Sequence, residues 1–96
     1  METGEPPPSG FEQFVGQQVV LDAKGPFLYI GLLESIRADC FVLSEVDVHH
    51  RDESTTGSEL YIIQSRRHGV RANRRRVHVL AREVASLSLL ADIIPY

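Results

Sequence analysis

The sequence predicts a mainly β, small α+β domain in which five strands curl into a bent, open antiparallel barrel. One short helix precedes the first strand and a second is inserted between strands three and four. Two observations carry this reading. From Phe27 to Val48 (FLYIGLLESIRADCFVLSEVDV), β-branched, aromatic and leucine residues run for two strand lengths around one polar interruption, Glu34 to Asp39. Two capping boxes, Ser9-Gly10-Phe11-Glu12 and Thr56-Gly57-Ser58-Glu59, mark helix starts on either side of that stretch.

With 96 residues, 43% of them hydrophobic, the chain suffices for one modest core. Residues 1–8 are rich in proline and glutamate and read as a disordered tail, leaving 9–96 as the domain. No apolar run reaches the roughly 18 residues of a membrane span. The N-terminus also lacks the basic-then-apolar pattern of a signal peptide, so a cytoplasmic protein with no membrane partner is expected. The single cysteine, Cys40, cannot form an internal disulfide and reads as a buried apolar side chain.

Taken in order, Ser9 caps a helix of one or two turns that Gly16 stops. Gln17 to Ala23 is the first strand, with Val19 and Leu21 on one face and Val20 on the other. Asp22 to Pro26 is a turn. In the second strand Leu28, Ile30, Leu32 and Ile36 share a face against Tyr29 and Leu33, and Gly31 marks a barrel corner where another backbone comes close. In the third, Cys40, Val42, Val46 and Val48 oppose Phe41 and Leu43 and then Glu45, Asp47 and His49, so this strand begins buried and ends half solvated.

Residues 51–57 form a loop. The second capping box, the cations Arg66, Arg67 and His68, and Gly69 then define a helix from Gly57 to His68. Val70 to Arg74 connects to a fourth strand, Arg76 to Ala81, with Val77 and Val79 inward. Only Arg82-Glu83 separates it from the fifth, Val84 to Leu90. So short a junction without glycine implies a strand bending over the barrel end.

The net charge of −3 conceals a segregation: Leu60 to Arg82 holds seven arginines and no acid, while the thirteen acids elsewhere face only Lys24, Arg37 and Arg51. Arg71, Arg74, Arg75, Arg76 and Arg82 form a candidate phosphate-binding surface, arginine being suited to bidentate contacts. The competing reading pairs these arginines with Glu45, Asp47, Asp52 and Glu53, within the chain or between subunits. Tyr61 is the only aromatic residue between Phe41 and Tyr96, which argues against base-specific reading of single strands.

His49 and His50, with Asp47 and Asp52, have metal-ligand chemistry, but adjacent strand residues point to opposite faces and no metal site is expected. Neither a nucleophile-base pattern nor a phosphate loop is present. No catalytic residue, enzyme activity, cofactor or small-molecule substrate is therefore expected.

The stretch Gly31-Leu32-Leu33-Glu34-Ser35-Ile36-Arg37-Ala38-Asp39-Cys40-Phe41-Val42-Leu43 is similar in spacing to the Hfq pattern of glycine, two strand residues, Glu-Ser-Phe, a polar pair and an apolar strand. Val79 to Val84 stands where Sm proteins carry Ile-Arg-Gly-x-x-Ile. Over roughly Phe11 to Leu90 the chain thus resembles the Sm-like (Sm, LSm and Hfq) family, whose fold is SH3-like. It departs from the family at Arg37 in place of aspartate, at Cys40-Phe41 in place of Met-Asn, at Leu80-Ala81 in place of Arg-Gly, and in its inserted helix. The resemblance implies a divergent Sm-like homo-oligomeric ring that binds RNA.

The candidate RNA-binding residues are Arg37, Asp39, Arg71, Asn73, Arg74, Arg75, Arg76, His78 and Arg82. A ring or dimer that scaffolds proteins without nucleic acid is the alternative. Assembly is expected through the edges of the fourth and fifth strands, at Val77, Val79, Val84, Leu87 and Leu89, because an apolar edge without proline or lysine would otherwise template aggregation. The apolar tail from Leu89 to Tyr96 would cover part of the same interface.

Overall fold

The computed structural model describes residues 10–53 and 57–95. Strands β1 (Gln18–Ala23), β2 (Phe27–Ile36), β3 (Cys40–His50), β4 (Arg74–Leu80) and β5 (Val84–Leu89) form one antiparallel sheet in the order β4-β3-β2-β1-β5. Helix α1 (Ser58–His68) lies between β3 and β4. The fold is therefore mainly β with one α-helix. β4 begins two residues earlier than the sequence predicts, because its ladder with β3 already holds at Arg74, opposite Val46.

The expected N-terminal helix is a single 3-10 turn, Glu12–Phe14. Gly16 ends it in the left-handed region at φ 92°, donating its N–H to Leu33 O at 2.7 Å. The Glu12 carboxylate accepts from Gly10 N–H at 3.0 Å; Ser9, the expected cap, and the tail of residues 1–8 lie outside the described residues. Thr56 lies outside them too, and Gly57 occupies the N-cap of α1 with no side-chain capping bond. The C-terminal signals act as expected: Gly69, at φ 96°, donates to Ser65 O at 2.9 Å beyond Arg66, Arg67 and His68.

Two irregularities correct the expected faces. Leu32 pairs with Ser44 but Ile30 with Asp47, so β3 carries one extra residue, and Glu45 adopts φ 50° there. Leu33 pairs with Leu43 and Ser35 with Val42, which makes Glu34 the extra residue of β2. Each bulge reverses the alternation beyond it. Val46 and Val48 consequently join Phe41 and Leu43 on the concave side, and Ile36 joins Leu33 rather than Leu28 and Ile30. The alternation read from sequence missed both reversals because Glu34 and Glu45 carry no bulge signal.

Along β1 and β2 both faces of the sheet are buried, which is why these strands read as apolar on both sides. Val19, Leu21, Leu33, Phe41, Leu43, Val46 and Val79 form the concave core, closed at one end by Phe11 and Phe14. On the convex side Val20, Leu28 and Ile30 pack beneath Ile62 of α1 and Leu90. Leu28 and Ile30 are fully buried there, each such side chain contributing about 1.5–3 kcal/mol. No helix among the described residues is long and apolar enough to cross a membrane.

Candidate nucleic-acid interface

The basic surface begins at the last turn of α1 and follows the chain into β4. There Arg74, Arg76, His78 and Leu80 alternate with Val77 and Val79 and are all exposed. The two inward valines differ in depth, Val79 being buried and Val77 half-buried. From Arg74 to Leu80 the strand spans about 20 Å at roughly 3.3 Å per residue. The candidate residues therefore spread along a strip instead of converging on one pocket.

At one end of the strip lie Arg71, Asn73, Arg74 and Arg75. Asn73 is a structural residue, because its N–H donates to Val46 O at 2.8 Å, its Oδ1 accepts from Val48 N–H at 3.0 Å, and its Nδ2 donates to Val48 O at 3.0 Å. It extends the β3–β4 ladder where the chain enters β4. At the other end, Asp39 O accepts the Ala81 N–H at 2.8 Å, which ties the β2–β3 turn bearing Arg37 and Asp39 to the junction bearing Arg82.

The guanidinium groups divide clearly. Arg76 is held by Glu34, Nε to Oε1 at 3.0 Å and Nη2 to Oε2 at 3.5 Å. Among the described residues, Arg74 donates only to the neighbouring Asn73 O. The side chains of Arg37, Arg71, Arg75 and Arg82 have no hydrogen-bond or ion-pair partner among the described residues and are exposed. None of Glu45, Asp47 and Asp52 pairs with an arginine of the strip. Glu34, the partner of Arg76, is also the extra residue of the β2 bulge.

The largest departure from the expected burial is under α1. Asp47 and His49, expected on a half-solvated face, are only 3% and 6% exposed. Tyr61 of α1 stacks on His49 with centroids 3.8 Å apart and 12° between planes, and its hydroxyl donates to Asp47 Oδ2. Ser65 Oγ donates to Tyr61 O at 3.1 Å, fastening the next turn. His49 Nε2 is buried without a hydrogen-bond partner among the described residues. The sequence clue was Tyr61 standing alone as an aromatic in a polar-flanked helix.

His50 points the other way, edge-on to Phe27 at 5.2 Å, and no group of three metal-ligating side chains occurs among the described residues. Cys40 is buried, and its thiol is pushed above its ordinary pKa, first by burial and then by Asp39, with Arg37 opposing.

The candidate interface side chains are largely occupied within the chain: Val79 belongs to the concave core, and Val77, Val84, Leu87 and Leu89 pack against it. Among the described residues the outer edges of β4 and β5, the two ends of the sheet order, pair with no further strand. Comparison with protein-family models, with curated proteins and with solved structures finds no match to this chain.

Proposed function

We propose that the chain is a divergent Sm-like protein of the cytoplasm that assembles into a homo-oligomeric ring and binds RNA through the strip of arginines along β4. The observation that carries the RNA reading is the unpaired state of Arg71, Arg75 and Arg82 among the described residues, with only Arg76 neutralised by a carboxylate. An arginine surface kept for intrachain pairing would meet its acids; among the described residues these three meet none. Guanidinium groups held in solvent displace counterions from a phosphate backbone at little desolvation cost.

Two sheet edges that pair with no further strand among the described residues support assembly, since β4 of one copy against β5 of the next is a head-to-tail contact that closes if the rotation allows. The Arg76–Glu34 pair favours the second reading, a protein scaffold of the same fold without nucleic acid. Fluorescence anisotropy with labelled oligo-U and oligo-A at low salt separates the two. RNA binding that falls steeply as salt rises supports the first reading, and no binding at low salt supports the scaffold.

A further inference from the structure

Beside the Tyr61–Asp47 contact a pocket of about 180 Å³ opens between α1 and the chain entering β4, and Asp47, Gln64, His68 and Arg71 are among its walls. Asp47 is 3% exposed, and of its two oxygens only Oδ2 is engaged, by the Tyr61 hydroxyl. Its Oδ1 has no partner among the described residues. Arg71 lines the same pocket and makes no ion pair with Asp47. Asp47 and Arg71 thus line one cavity without forming an ion pair.

A buried carboxylate with an open oxygen takes an N–H donor, and a guanidinium takes acceptors only. A ligand that satisfies both carries N–H groups next to two acceptors on one rigid plane. Guanine has this arrangement: its N1–H and N2–H groups adjoin O6, and O6 with N7 matches the fork of an arginine. Adenine offers an amino donor where the fork needs an acceptor, and the pyrimidines lack the N7 acceptor.

We propose that this pocket takes one unpaired guanine base of an RNA, with Asp47 accepting from the Watson–Crick edge and Arg71 donating to O6 and N7. The proposal rests on the RNA reading above and deepens it, because Arg71 is where the basic strip begins. Splayed-out bases read on their edges are the usual way proteins recognise single-stranded RNA.

The test is calorimetric titration of the full chain with guanosine, adenosine, cytidine and uridine 5′-monophosphates at low salt. The guanosine nucleotide should bind at least tenfold more tightly than the others, about the discrimination that one good bidentate pair supplies. Arg71→Ser should erase that preference, as should Asp47→Asn. Should Asp47→Asn unfold, as circular dichroism would reveal, Arg71→Ser decides alone, since Arg71 is exposed and has no hydrogen-bond or ion-pair partner among the described residues. Four equal affinities, no mononucleotide binding at millimolar concentration, or a guanine preference retained in Arg71→Ser would overturn the proposal. The strip's affinity for oligo-U and oligo-A is measured separately and would survive that failure.

Discussion

Gly31 lies against the backbone of Val46: a Cβ placed on Gly31 would meet Val46 Cα and Ser44 O, each at 3.1 Å. The contact falls where β3 bulges at Glu45, so the glycine in β2 and the extra residue in β3 are two halves of one bend. Gly31→Ala should destabilise the fold by about 1–3 kcal/mol through overpacking, outweighing the roughly 0.4–1 kcal/mol gained from a stiffer unfolded chain. Urea unfolding measures the balance, and an alanine variant as stable as wild type would show that the bend can relax.

Tyr61 is expected to hold α1 on the sheet. Tyr61→Phe keeps the stack on His49 but withdraws the hydroxyl from Asp47, leaving a buried carboxylate with one partner fewer. A loss of about 1–3 kcal/mol should follow, read by thermal or urea unfolding. An unchanged midpoint would mean that water replaces the hydroxyl.

Cys40 should be alkylated slowly in the native protein at neutral pH and rapidly in denaturant, since burial raises its thiol pKa and the thiolate is the nucleophile. The sign of the linkage follows. A thiol held protonated in the folded state contributes stability that is complete below the unfolded thiol pKa and is lost as pH rises through the raised folded value. Native and denatured alkylation rates that coincide would contradict this placement.

Replacing Arg74, Arg75 and Arg76 together with serine should sharply weaken RNA binding and leave the fold intact. The only ion pair removed among the described residues is Arg76–Glu34, whose side chains are 52% and 42% exposed, and a pair of that kind contributes about 0–1 kcal/mol. Circular dichroism checks the fold, and anisotropy across a salt series checks binding. Affinity that survives both the triple change and added salt would contradict a site built on these cations.

How far the sequence reaches can be seen at β3. Its bounds, its apolar start and the helix after it follow from propensity and capping signals, which act over a few residues. The burial of Asp47 and His49 does not, because it depends on the parity reversal at Glu45 and on α1 folding back over the strand, and both are long-range outcomes. The arginine strip was legible as composition, while its division into paired Arg76 and unpaired Arg71, Arg75 and Arg82 required Glu34 to be located in space.

Assembly through the β4 and β5 edges is what the proposed ring requires, and it can be measured by light scattering coupled to size exclusion on the wild-type chain. The hydrogen bonds of Gly16 and Leu33 set the alternation along β1, directing the N–H of Val20 and Asp22 toward Ser88 and Ser86 of β5, so the Leu87 N–H points to the open edge. Leu87→Pro should therefore spare the β1–β5 ladder and remove an edge donor. The wild-type mass should be one fixed multiple of the single chain, and Leu87→Pro should fall to the single-chain mass or to aggregates. A wild-type protein that stays at the single-chain mass at high concentration would contradict edge-to-edge assembly.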